Sequence, residues 1–304
     1  MHKRTSHPKG RLMKISEPIT PPPRHLLEKA VREALDEDLG LAGDVTTNSI
    51  IRPDAAGAAS IVVREPARVA GLDLAELAFR MLDPDVVFER LVDDGGTADA
   101  GAAIARVEGA IRALLTGERT ALNFLGRLCG IATLTAAYVA AVEGTGAKIV
   151  CTRKTTPGLR GLEKYAVRCG GGVNHRFGLH DAVLVKDNHI AAAGGIEPAL
   201  SQLRASAGHT HKIELEVDTL EQLREALTFP IDIVLLDNMD IPTLKEAVAI
   251  AAGKVLTEAS GGVSLQSVAE IAQTGVDLIS VGALTHSPRN LDSSFEWEPQ
   301  DSCQ

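Results

Sequence analysis

The amino-acid sequence predicts an α/β protein in which a small N-terminal α+β unit precedes a six- or seven-stranded (β/α) barrel. Two observations carry this. From about residue 148 onward, short apolar strand candidates alternate with amphipathic helices, the pattern of βα units around a parallel sheet. Almost every candidate also runs directly into charge or glycine: Thr152-Arg153-Lys154, Lys186-Asp187-Asn188, Glu216 with Asp218, Asp237-Asn238, Glu258 to Gly262, and Gly282. In a barrel the C-terminal strand ends meet at one mouth, where sites are built. An open doubly wound sheet places ligands at a single switch point instead. Polar clusters after all six candidates therefore favour a ring, short of the full eight strands.

Residues 1–23 are basic and then Pro-rich, which suggests a disordered extension, with a targeting peptide as the other reading and Met13 as a second possible start. From Arg24, Leu27, Val31, Leu35 and Leu39 recur at helical spacing. Over 58–108, two strand-like stretches flank the helical run LDLAELAFRML. Leu91 to Thr97 contains Asp93-Asp94-Gly95-Gly96, which superficially resembles an Asp-Asp phosphoribosyl diphosphate loop. No long apolar strand precedes it, and Asp-Gly equally signals a turn, the preferred reading. A long helix is expected over Glu118–Glu143. The strand candidates are Lys148–Cys151, Ala182–Val185, Ile213–Val217, Ile233–Leu236, Val255–Thr257 and Leu278–Val281.

Composition narrows the function. A net charge of −9 argues against a nucleic-acid surface, which needs a basic stripe. No apolar run is read as approaching the ~20 residues of a membrane span, so a soluble chain with neither nucleic-acid nor membrane partner is expected. Aromatics are only 3%, so the core must rest on Ala, Val, Leu and Ile. Cys129, Cys151, Cys169 and Cys303 lack C-x-x-C spacing and read as reduced thiols of a cytoplasmic protein.

On an acidic chain a cationic cluster is informative. Arg153, Lys154, Arg176 and Lys186, with His175 beside Arg176, would form a positive pocket if they meet at the mouth. Such a pocket suits a polyanion, with arginine forks for carboxylate or phosphate and lysine point charges. Glu216 and Asp237 close adjacent strands and could hold Mg²⁺ through water, stabilise a cationic sugar or orient its hydroxyls. Ser260-Gly261-Gly262 ahead of a helix expected near Ser264, and Gly282 after the next strand, suit phosphate. His209 and His211 precede a strand, at the wrong end for chemistry, and read as an exposed loop.

These residues lie in segments that together resemble the quinolinate phosphoribosyltransferase family: GERTALNFL, TRKTTPGLRGLEKYAVRCGGGVNHRFGL, KDNHI, ELEVDTLEQL, LLDNM, EASGGVS and VGALTH. The resemblance spans residues 25–297. It implies an N-terminal α/β sandwich domain over 24–127, joined by residues 290–304, and an incomplete barrel over 128–289. It implies a homodimer, or an assembly of dimers, with the site shared across the interface. It also implies decarboxylating phosphoribosyl transfer from phosphoribosyl diphosphate to quinolinate, giving nicotinate mononucleotide, CO₂ and diphosphate in de novo NAD biosynthesis, with Mg²⁺ as cofactor. By the same resemblance, Arg153, His175, Arg176 and Lys186 would bind quinolinate, and Arg119 would reach in from the neighbouring subunit. Lys154, Glu216, Asp237, Ser260, Gly261, Gly282 and His286 would handle the donor. Of these, Lys154, Glu216 and Asp237 are the expected catalytic groups, with Glu216 and Asp237 near the metal. Three other readings stand beside this one: a paralogue acting on another base, a Schiff-base aldolase using Lys154 or Lys186, and a non-catalytic sugar-phosphate-binding barrel.

Overall fold

A computed structural model describes residues 19–298. Most of the expected N-terminal extension, and Cys303, lie outside the described residues. The helical spacing from Arg24 produces α1 (Arg24–Leu39), whose Leu27, Val31 and Leu35 are buried. Next comes α2 (Val45–Ile50), capped by the Asp44 side chain accepting from Thr47 N. Then follow β1 (Ala56–Val63), β2 (Ala67–Arg68), α3 (Leu72–Arg80), β3 (Val87–Arg90), β4 (Thr97–Ala98) and β5 (Ala103–Ala110). A C-terminal strand, β12 (Ser293–Trp297), returns to pair antiparallel with β1, giving a four-stranded sheet of order β12-β1-β5-β3. Four of the nine aromatics lie here, with Phe79 of α3 stacked 5.6 Å from Phe295 of β12. Asp94 accepts hydrogen bonds from Gly71 N, Leu72 N and Tyr165 Oη. It braces the start of α3, as the turn reading of Leu91–Thr97 requires.

The long helix α4 (Ile111–Ala141) begins seven residues before its expected start, because Ala113 and Leu114 continue the buried face ahead of Gly117. At 31 residues it is long and apolar enough to cross a membrane, which corrects the expectation that no run approaches that length. Half of its most apolar window is buried inside the protein, as in a core helix. Small residues let neighbours approach closely. A Cβ on Gly117 would come within 2.9 Å of Phe79, and one on Gly130 within 2.0 Å of the Arg289 carbonyl.

The remaining chain forms six parallel strands: β6 (Lys148–Val150), β7 (Val183–Val185), β8 (Ile213–Val217), β9 (Ile233–Asp237), β10 (Leu256–Ser260) and β11 (Leu278–Ser280). Helices α5 (Arg160–Cys169), α6 (Asp187–Ala193), α7 (Ile196–Ser206), α8 (Leu220–Ala226), α9 (Ile241–Ala251), α10 (Val268–Ala272) and α11 (Ala283–His286) connect or follow them. The sheet order is β6-β11-β10-β9-β8-β7, so the first strand pairs with the last and the ring stays open between β6 and β7. Six strands, not seven, make the incomplete barrel. In the opening lies the segment 170–182, tied to β6 by a single isolated bridge between Val150 and Val173.

β6 and β11 stop one residue short of expectation, at Val150 and Ser280, and β7 and β10 start one residue late, at Val183 and Leu256. Two strands run past their expected ends. β9 includes Asp237, and β10 runs through Glu258 to Ser260. Polar residues are admitted because the inner face there borders a cavity rather than apolar core.

Gly130 fixes how the returning C-terminal segment lies against α4, where Leu291 N also donates to the Gly126 carbonyl. Gly130→Ala is expected to cost about 1–3 kcal/mol in chemical denaturation. An unchanged midpoint would show that this packing yields freely.

Candidate active site

The strand ends enclose a cavity of about 740 Å³, within the usual range for small-molecule pockets. Arg153, Lys154, His175, Arg176, Lys186, Glu216, Asp237, Ser260, Gly261, Gly282 and His286 all line it. Leu184, Leu235 and Val263 supply apolar wall. Charge is distributed by position around the ring. Arg153 and Lys154 follow β6, Lys186 follows β7, and His175 and Arg176 sit in the segment between, so the cations flank the opening. Glu216, Asp237, Ser260 and Gly282 occupy the ends of β8 to β11, on the continuous side of the sheet.

The loop after β6 is held by buried polar contacts. Glu163 of α5 accepts from Thr156 N at 3.0 Å and Thr156 Oγ1 at 2.7 Å, and pairs with Arg127 of α4 at 2.6 Å. The Lys154 carbonyl accepts from Thr285 Oγ1. A side chain on Gly282 would put its Cβ 3.1 Å from Lys154 Cδ, so glycine leaves the lysine stem room. Lys186 Nζ pairs with Glu216 Oε2 at 2.7 Å, joining the cationic side to the acidic side. With its Nζ occupied by a carboxylate, Lys186 does not suit the Schiff-base reading.

Asp237 accepts from Asn238 Nδ2 at 2.6 Å. Asn238 adopts φ 53° while its amide donates to the Ser260 carbonyl. Gly261 has φ +96°, and a Cβ there would lie 2.1 Å from Asn238 Oδ1, so only glycine fits. The helix expected near Ser264 starts four residues later, at Val268, and is short. A turn over 264–267 leads to the five-residue α10. The helix-dipole reason for phosphate binding therefore lapses, and the Gly261-Gly262 turn is what remains. His209 and His211 are exposed in a turn before β8.

Two buried carboxylates belong to this region: Glu258, which lines the cavity and stood among the strand-end polar residues without a role, and Glu214, which sequence reasoning missed. Glu214 and Glu258 are 4% and 1% exposed. His175 Nε2 lies 2.9 Å from Glu214 Oε2 and 3.6 Å from Glu258 Oε1. One ligand atom from each of the three falls within 4.8 Å of the others, so they are grouped closely enough to surround a cation. Strand alternation was the available signal, since Glu214 shares a face with Glu216, and Glu258 with Ser260. Burial, then the charge of Glu214, pushes the Glu258 carboxyl up to about 7. Burial opposes charge on His175, but the hydrogen bond to Glu214 and the charge of Glu258 outweigh it, and its pKa is raised. Nδ1 accepts from the Arg176 amide at 2.8 Å, so the neutral ring carries its proton on Nε2, toward Glu214. Burial, then the like charge of Arg153, lowers the Arg176 pKa. The Nε atoms of Arg153 and Arg176 are buried without a hydrogen-bond partner. Buried donors rarely stay unsatisfied, and an anionic ligand would satisfy both.

Residues 44–129 match the family model described as "Quinolinate phosphoribosyl transferase, N-terminal domain", and residues 131–296 match its C-terminal counterpart. The chain belongs to the quinolinate phosphoribosyltransferase family. It is 48% identical over 272 residues to "Nicotinate-nucleotide pyrophosphorylase (carboxylating)" of Mycobacterium leprae, covering 88% of this chain and 95% of that one. It is 44% identical over 270 residues to the probable enzyme of the same name from Bacillus subtilis, covering 89% and 93%. Among solved structures, NadC from Streptococcus pyogenes superposes with a TM-score of 0.88 at 38% identity, covering 92% of this chain and all of that one.

One expected site residue of this family member stands apart. Arg119 of α4 lines a second cleft with Asp38, Asn123 and Arg127, away from the cavity of its own chain.

The raised Glu258 pKa fixes a pH dependence of stability. The folded carboxyl holds its proton up to about 7, against a reference value of 4.5. Its contribution is therefore complete below pH 4.5 and lost as pH rises through 7. Relative to Glu258→Gln, the wild type should lose on the order of 3 kcal/mol between pH 4.5 and 8. Parallel denaturation curves across that range would contradict this.

Proposed function

We propose that this enzyme transfers the phosphoribosyl group of phosphoribosyl diphosphate to the ring nitrogen of quinolinate with loss of CO₂, forming nicotinate mononucleotide and diphosphate in NAD biosynthesis. The observation that carries the reading is the pair of unpartnered, buried guanidinium Nε groups of Arg153 and Arg176 beside a cavity that also receives Lys154 and Lys186. Two adjacent carboxylates on one planar ring are the ligand such a pair of forks accommodates. The M. leprae relative's name describes the same conversion in the reverse sense.

In this reading Arg153, Arg176 and Lys186 hold the two carboxylates, and His175 supports Arg176 through the amide contact. Leu184 and Leu235 give the ring an apolar wall. On the other side, Lys154 neutralises the departing diphosphate, and Glu216 and Asp237 face the ribose carbon as positive charge develops there. The Gly261-Gly262 turn and His286 receive the 5′-phosphate. Attack by the ring nitrogen leaves it positively charged. The positive nitrogen stabilises the electron pair left on C2 as the C2–carboxylate bond breaks, so CO₂ departs without a Schiff base and C2 of the resulting ylide takes up a proton from water. The protein's contribution is positioning and charge neutralisation.

Glu216 and Asp237 also fit Mg²⁺. Beyond the contacts to Lys186 and Asn238, each leaves a carboxylate oxygen without a protein partner among the described residues, and hard oxygen donors with water suit this ion. When bound, Mg²⁺ supplies charge neutralisation to the diphosphate. In our reading Arg119 completes the site of a second subunit in a homodimer, which its place outside its own cavity supports. We assign the enzyme to the cytoplasm, a reading supported by the three buried free thiols Cys129, Cys151 and Cys169.

Incubation with quinolinate, phosphoribosyl diphosphate and Mg²⁺ should yield nicotinate mononucleotide and CO₂ in equal amounts. Absence of both products would refute the assignment. Arg153→Ala should raise the KM for quinolinate tenfold or more, since a charge-assisted hydrogen bond contributes about 1.5–3 kcal/mol, and should leave donor binding nearly intact. Equal losses for both substrates would contradict the division of the cavity. Mixed dimers of Arg119→Ala and Lys186→Ala chains should recover part of the activity that each lacks alone. Dimers that form without recovery would exclude a shared site.

A further inference from the structure

The opening between β6 and β7 poses a mechanical question. His175 and Arg176 lie in a segment that meets the sheet at one isolated bridge, Val150 to Val173. Ordinary strand pairing therefore does not fix where the two side chains point. Lys164, on α5, occupies the space behind this segment. It is wholly buried, at 0% exposure, and does not line the cavity. Its Nζ donates to the His175 carbonyl at 2.9 Å and to Cys151 Sγ at 3.0 Å, and lies 5.2 Å from the centre of the Phe177 ring. Cys151 Sγ in turn donates to Asn174 Oδ1. One side chain thus contacts, directly or through Cys151, three of the four positions ahead of Gly178: Asn174, His175 and Phe177, with Arg176 between the last two.

Ordering a buried lysine is costly in side-chain entropy and desolvation. An apolar residue of similar length would fill the same volume without the desolvation cost. What the lysine adds is directional: it fixes one carbonyl, one thiol and one ring face with respect to a rigid helix. The neighbouring Glu163 points to the other cation-bearing loop, through Thr156 and Arg127. The two arms diverge because adjacent helical residues lie about 100° apart.

The geometry points to Lys164 as a positioning residue for the dicarboxylate half of the site: it sets the His175–Arg176 segment in place of the missing strand and touches no substrate itself. This rests on the proposed function, since it presumes that Arg176 binds quinolinate.

The test is steady-state kinetics of Lys164→Met, which keeps length and apolar volume but removes every directed contact. The KM for quinolinate should rise tenfold or more, while the KM for phosphoribosyl diphosphate stays within twofold. Lys164→Gln, which keeps an N–H donor, should recover part of the loss. A folded Lys164→Met enzyme with both KM values within twofold of wild type, or with equal rises in both, overturns the inference. If Lys164→Met does not fold, Phe177→Leu decides by the same criterion, since Phe177 is exposed and removing its ring spares the core. A selective rise of threefold or more for quinolinate supports the inference, and an unselective or absent one overturns it. A wild type that forms no nicotinate mononucleotide refutes the functional reading itself. One that turns over normally beside an unselective variant refutes this inference alone.

Discussion

Arg176 is held close enough to Arg153 to feel its like charge, and the Nε atoms of both are buried and unpaired. Such an arrangement is unfavourable in the free chain, through both repulsion and lost hydration. It persists only because neighbouring structure fixes both loops. Glu163 and Arg127 hold one loop from behind, and Lys164 and the His175–Glu214 contact hold the other. The network around the cavity follows from this requirement, as does the distribution of charge around the ring, with cations flanking the opening and carboxylates on the continuous sheet.

The incomplete barrel serves the same end. A full ring would place a paired strand between β6 and β7, with its backbone committed to ladder hydrogen bonds and its side chains alternating in and out. A segment joined by one bridge can present consecutive residues, His175 and Arg176, toward one region. It then needs anchoring by side chains, which explains buried polar groups on α5 where an amphipathic helix would normally offer only apolar contact. The buried carboxylates of Glu214 and Glu258 offset part of the positive charge beside them, and the proton retained by Glu258 limits how far.

Much of this was legible in the sequence because the signals were local. Strand–helix alternation placed all six barrel strands, and the charge after each strand named the cavity-lining residues before their distances were known. Three features were not legible for physical reasons. Strand β10 continues through Glu258, because polar residues are tolerated where a strand borders a cavity, so a hydrophobic pattern ends it too early. The helix after Gly262 shrinks to five residues, since the Ser264–Ser267 hydrogen bonds stabilise a turn first. Lys164 reads as one more charged residue on an amphipathic helix. Its burial follows from the opening in the ring, a tertiary fact with no local signature.

The central claim is that the cationic half of the cavity is shaped for two adjacent carboxylates, and comparative calorimetry of quinolinate and nicotinate binding tests it most directly. Nicotinate lacks only the C2 carboxylate. The dicarboxylate should bind at least tenfold more tightly, with the difference shrinking as salt is added. Equal affinity for the two acids would contradict the account.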